Sequence, residues 1–160
     1  MALFRRHEAR PAPTAEPEPV DSPAELGGAL DQLVGFINQN AGRLPGESVV
    51  AARRVTDAVR DVIDTSDDGE LDVYAIISVK GIVNDYLPTT LRTYLALDPQ
   101  AVDVRRPTGR TPRESLLEQL ISLWAGAADV LTAAQAKDAD ALVSQGSFLQ
   151  TKFTGSDLDL

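Results

Sequence analysis

The chain contains no cysteine and a single histidine, His7, in 160 residues. Without thiols there is no disulfide, no thiolate nucleophile and no thiolate metal site, which fits a cytoplasmic protein. With one imidazole, neither a Ser-His-Asp triad nor a histidine-built zinc site can be assembled within one chain. Aromatic residues make up only 5% of a chain that is 43% hydrophobic, so its core has to be aliphatic and alanine-rich. Positive charge is in deficit: 15 Lys and Arg stand against 24 Asp and Glu, a formal net charge of -9. That excess opposes non-specific binding to nucleic acid, and no nucleic-acid partner is expected. No long apolar run of bilayer-spanning length stands out, and Met1 to Arg10 lacks the apolar middle of a secretory signal, so stable membrane insertion is not expected. Gly27, Gly28 and Gly35 lack phosphate-loop spacing, and no cofactor is implied.

What is present reads as one helical domain with two tails. Residues 1–21 are proline-rich and are expected to be disordered, with Leu3 and Phe4 beside Arg5 and Arg6 as a short docking motif or a weak surface anchor. Ser22-Pro23-Ala24-Glu25 combines a serine N-cap, a proline at the first helical position and a glutamate placed to close a capping box. The domain, 22–150, therefore opens here. Leu26, Leu30, Leu33, Val34 and Ile37 follow at helical spacing until Gly42 and Pro45. A second helix is predicted over about 47–63, with Ala51, Val55, Ala58, Val59, Val62 and Ile63 inward and Arg53, Arg54, Asp57, Arg60 and Asp61 mostly outward. Residues 151–160 read as a flexible C-terminal tail, where Gly155 and Ser156 suggest fraying.

Between the second helix and the next, Asp64, Ser66 and Asp68 fall at the first, third and fifth positions of a calcium loop, with Gly69 at the sixth and Leu71 at the eighth. The twelfth position is Ala75, not the bidentate glutamate that completes calcium's oxygen shell. These residues are thus a weak metal candidate, and an acidic turn serving the next helix is the plainer reading.

The most apolar stretch runs from Leu71 to Leu97. Val73, Ile76, Ile77, Val83 and Leu87 form its expected core stripe, extended by Leu91, Tyr94 and Leu95. Pro88 removes a helical hydrogen bond and disfavours helical angles at Leu87, so a kink or break near 85–88 is expected. The run Tyr86-Leu87-Pro88-Thr89-Thr90-Leu91, followed by Tyr94 and Leu95, resembles a segment of the bromo-chloro-indolyl phosphate hydrolysis (XpaC-like) family. The resemblance implies a helical protein sometimes associated with toxic-anion resistance, and the family name suggests phosphate-ester hydrolysis. It transfers no catalytic residue to this chain. Thr89 and Thr90 are read as satisfying backbone groups freed by Pro88, with Tyr86 and Tyr94 at the edge of the helix packing; the five residues Tyr86, Pro88, Thr89, Thr90 and Tyr94 are also the candidate partner surface.

The longest connection, 98–110, gathers Arg105, Arg106 and Arg110, with Arg113 just beyond. These four are the candidate site for an anion or an acidic partner, because arginine forks and free donors at a helix start both suit such groups. The capping box Thr111-Pro112-Arg113-Glu114 competes for those donors. The last helix carries Leu116, Leu117, Leu120, Ile121, Trp124, Ala127, Ala128 and Leu131 on one face, with Trp124 as a core anchor. Beyond Gln135 either one helix continues or Asp138 caps a second one.

The fold expected is all-α, an antiparallel helical bundle of four to six helices. The leading functional reading is a non-catalytic cytoplasmic interaction or adaptor module that takes a protein partner near Pro88 or at the arginine loop. A phosphate-ester hydrolase or anion-binding protein using that loop is the alternative, and a structural homo-oligomer is the third reading.

Overall fold

The structure is a computed structural model that describes residues 22–66 and 71–156. The tail read over 1–21 lies outside the described residues, as does Asp68 of the weak metal candidate. Among the described residues the chain is all-helical, without strands.

Helix α1 (Pro23–Asn40) begins as its first four residues dictate. The Glu25 amide donates to Ser22 Oγ at 3.2 Å, and the Ser22 amide donates to Glu25 Oε2 at 3.0 Å. Two orphan donors of the first turn are thereby satisfied. Leu26, Leu30, Leu33 and Ile37 are buried along one face, each contributing roughly 1.5–3 kcal/mol of hydrophobic stabilisation. Helix α2 (Gly46–Asp64) returns alongside it, its direction set out by Arg53 donating to Asn38 at 3.0 Å and Arg60 meeting Asp31 at 2.7 Å. Its buried face carries Val49, Ala52, Val55, Val59, Val62 and Ile63, with Arg53, Arg54, Asp57, Arg60 and Asp61 outward.

The third rod is a continuous run: α3 (Val73–Gly81), a π-helical turn (Ile82–Tyr86) and α4 (Leu87–Leu95). Pro88 does not break it. Leu87 keeps helical angles (φ -67°, ψ -49°), and its amide donates to the Ile82 carbonyl five residues back. The π turn widens the helix just ahead of the proline ring, which gives the ring room against the preceding turn where a regular helix would clash. The expected departure of Leu87 from helical conformation is therefore corrected: a π turn replaces the break.

Helix α5 (Pro112–Ser156) is one helix of 45 residues, roughly 68 Å long, so Asp138 caps no separate element. It also passes the boundary read at 150; residues 151–156 are helical, and 157–160 lie outside the described residues. Helix α5 runs opposite to α3–α4, since Lys137 pairs with Asp72 at 3.2 Å while Ser115 and Thr90 share a groove at the other end. It runs in the same direction as α2, with Arg113 near Glu47 and Arg54 over Trp124.

The expected core face of the central stretch is also corrected. Val73 and Ile77 are 69% and 66% exposed, while Ala75, Val79, Ile82, Val83, Leu87 and Leu91 are buried. Apolar residues surround α3 on every side, so spacing alone did not select a face; contact with α2 and α5 did. In α5 the core takes Leu116, Leu120, Ala127 and Val130, and leaves Ile121 half exposed. Trp124 is no core anchor: it is 39% exposed, with the Arg54 guanidinium 5.7 Å above its ring. Residues Pro112–Ser144 are, by length and composition, apolar enough to cross a membrane, which corrects the reading that no such run exists. The same segment supplies four core residues.

Candidate functional site: the arginine loop and the α4–α5 groove

The connection 96–111 is built from successive turns. The Ala101 amide donates to the Asp98 carbonyl at 2.8 Å, Val104 to Ala101 at 3.2 Å, and Gly109 to Arg106 at 2.8 Å. Gly109 sits at φ 82°, in the left-handed region where glycine has no steric penalty. The Arg113 amide donates to the Val102 carbonyl at 3.2 Å and ties the loop to the start of α5.

This folding brings the four predicted arginines to one end of the molecule, but it brings carboxylates with them. Arg113 meets Asp103 at 2.7 Å and Glu47 at 3.9 Å; Arg105 meets Glu114 at 3.9 Å and donates to the Gly109 carbonyl; Arg110 pairs with Glu118. Arg106 has no ion pair among the described residues. Four guanidiniums thus stand among four carboxylates, and the local charge sums to about zero. The hydrogen bond from Arg113 holds the Asp103 carboxyl below its ordinary range. Glu114 is lowered chiefly by the Thr111 amide, with Arg105 and Arg110 adding to it. The Thr111 capping box is closed, with the Thr111 amide donating to Glu114 Oε2 at 2.9 Å and the Glu114 amide to Thr111 Oγ1 at 3.2 Å. A phosphate here would have to displace carboxylates from three of the four forks and compete with a filled helix start.

The Pro88 segment builds a second feature. Tyr86, Thr89, Thr90 and Thr93 of α4 and its preceding turn face Ser115, Gln119 and Ser122 of α5 across two adjoining shallow cavities of about 240 and 480 Å³. Leu97 and Leu116 line the first beside Tyr94. Of the five residues proposed as a partner surface, Tyr86 is 58% exposed and Thr89 is exposed, but Pro88 and Tyr94 are buried. Pro88 is corrected to a core position, Tyr94 takes the place that the core stripe gave it rather than one on the partner surface, and burial accordingly pushes the Tyr94 phenol up. Thr89 hydrogen-bonds Asp85 at 3.4 Å rather than a backbone group released by the proline. Ser115, Gln119 and Ser122 escaped notice in the sequence because their spacing on α5 reads as an ordinary polar face. The lining offers hydroxyls and an amide, groups that hold a polar surface by hydrogen bonds. Glu118, the acidic member of the groove, is engaged by Arg110.

Asp64 and Ser66 do not converge on a ligand set: Ser66 Oγ donates to the Ile63 carbonyl at 2.7 Å. Among the described residues no group of three His, Cys, Asp or Glu side chains is placed to hold a metal ion. The feature that spacing missed is apolar. Val73, Tyr74 and Ile77 on α3 are 69%, 61% and 66% exposed, and Leu142 and Val143 on α5 are 71% and 68% exposed. No protein-family model, curated protein or solved structure matches the chain.

Proposed function

We propose that this protein is a non-catalytic, cytoplasmic helical interaction module, an antiparallel bundle whose task is to dock a protein partner. The observation that carries the reading is the exposed apolar face of α3. Val73, Tyr74 and Ile77 stand within one and a half turns of each other, each more than half exposed, where scattered single apolar side chains would be unremarkable. Capping already holds the start of this helix, through Asp72 Oδ1 and the Tyr74 amide at 3.4 Å, so these side chains are not needed to begin it. The partner surface moves accordingly from Pro88 and Tyr94 to the outer side of α3.

The test is an affinity capture from native lysate with the intact protein and with Tyr74→Glu and Ile77→Glu, both changes being on solvent-facing positions. A partner retained by the intact protein and lost from both variants supports docking on α3. A partner retained equally by all three, or none retained specifically, removes this reading.

A further inference from the structure

The short connection between α1 and α2, residues 41–45, meets the loop 96–111 at one end of the bundle, and a cavity of about 420 Å³ lies between them. Arg43 lines it with a guanidinium held by two neutral acceptors: Nη2 donates to the Leu95 carbonyl at 3.1 Å and Nη1 to Asn40 Oδ1 at 3.4 Å. No carboxylate pairs with Arg43 among the described residues, which sets it apart from Arg105, Arg110 and Arg113. Arg113 and Asp103 also line the cavity and neutralise each other at 2.7 Å. Glu47, 3.9 Å from Arg113, does not line it, so one positive charge stands uncancelled on the wall. Tyr94 supplies a second polar group. It is 8% exposed, and its hydroxyl has no hydrogen-bond partner among the described residues, although a buried phenol ordinarily finds one. Unlike Ser48 Oγ, that hydroxyl is not cut off from its surroundings. Its charged neighbours include Arg113 and Asp103, which line this cavity and not the α4–α5 groove, and so the phenol is placed on this side. The rest of the wall is apolar, from Leu95, Leu97, Pro99 and Val102.

We propose that this cavity binds a monocarboxylate carried on a compact aliphatic body, the carboxylate held by Arg43 and the Tyr94 hydroxyl and the body laid against Leu95, Leu97, Pro99 and Val102. A guanidinium and a phenolic O–H are both donors, and a carboxylate accepts from both at once. The unpaired hydroxyl gains the partner that the fold does not give it. Only one charge on the wall is free, and Asp103 repels a second negative charge on the ligand, so a singly charged group suits the cavity better than a phosphate dianion. The apolar wall offers no partner to a sugar or another polar body. A mostly preformed, part-apolar cavity with a few convergent polar groups has the character of a small-ligand site. Two sources carry this chemistry: a free aliphatic acid and the carboxyl end of a peptide closing in leucine or valine. The site lies at the opposite end of the bundle from Val73 and Tyr74 and does not depend on the docking reading.

Calorimetric titration of the full chain with millimolar 4-methylpentanoate should show binding, and 4-methylpentanamide, the same shape without the charge, should bind at least about 10-fold more weakly. Inorganic phosphate should likewise bind about 10-fold more weakly than the acid. Arg43→Gln should weaken the acid by about 10-fold or more and Tyr94→Phe by about 5-fold, with the thermal transition retained in circular dichroism. Should Arg43→Gln lose that transition, Tyr94→Phe, which keeps its ring in the core, carries the test together with the amide. Arg106→Gln, at the same end of the molecule but outside the cavity, should leave the affinity unchanged. Acetyl-glycyl-leucine with a free carboxylate separates the sources: tighter binding than the free acid assigns the site to a chain end, and otherwise the free acid is its ligand. Absence of binding by both acids, an amide or phosphate bound as well as the acid, indifference to Tyr94→Phe, or equal losses from Arg43→Gln and Arg106→Gln overturns the inference. The α3 capture experiment stands or fails separately, because Tyr74→Glu and Ile77→Glu do not touch this cavity.

Discussion

Single residues carry two consequences that spacing could not disclose. Ser48 lies in the first turn of α2, fully buried, and its Oγ makes no hydrogen bond. A buried hydroxyl without a partner is a net cost, so Ser48→Ala should raise stability by about 1 kcal/mol; a lower urea midpoint in the variant would show that the hydroxyl is satisfied. Asp103 and Glu114 both have folded pKa values held below the ordinary carboxylate range, by Arg113 and by the Thr111 amide respectively. Depressed acids contribute stability that is complete above the unfolded value of about 4 and is lost as pH falls through the folded values. The urea midpoint should therefore drop between pH 7 and pH 3, and the combined Asp103→Asn, Glu114→Gln variant should show a shallower drop. An unchanged acid response in that variant would place the sensitivity elsewhere. The arginines were visible as a cluster in the sequence. Three of the carboxylates that neutralise them, Asp103, Glu114 and Glu118, lie within ten residues of their arginines and stood in the same stretch of sequence; only Glu47 is far from Arg113 in the chain and near it once α2 and α5 lie side by side.

The element that decides the middle of the molecule is the π turn. It holds one residue more than a regular turn, which lets α3 and α4 keep their inward faces while the Pro88 ring is accommodated. Deleting the exposed Asn84 should convert the turn to regular helix without rotating the flanking faces, and should then drive the proline ring against the turn before it. The expected cost is about 3 kcal/mol. Pro88→Ala in the same deletion background should recover most of that loss, as read by urea unfolding. Equal instability of the two deletion variants would show that the extra residue serves some other purpose. The proline announced a disturbance in the helix but not its form, since a break, a kink and a π turn all answer the same missing amide. By contrast, both capping boxes were legible, because a serine or threonine three residues before a glutamate is a local geometry that tertiary contacts need not complete.

At the scale of the whole molecule, the buried apolar residues among those described run from Leu26 to Val130, and α5 continues well past them. Ending the chain after Ala141 should leave the thermal midpoint of the dilute protein within about 3 °C of the intact chain, with ellipticity reduced in proportion to the helix removed. A large fall would mean that the projecting half supports the core directly. The sequence by itself determined the all-helical class, the start of α1, the inward and outward faces of α2 and the capping of α5. Those follow from local dihedral preferences, capping chemistry and a strongly two-sided pattern, all of which act within a few residues. Only the tertiary structure decided which side of α3 is buried, that Trp124 lies at the surface under Arg54, and that α5 outreaches its neighbours. The physical reason is common to all three: where a helix is apolar on every side, or longer than the body it joins, its own spacing leaves several faces equally fit for burial, and the choice falls to the neighbours that pack against it.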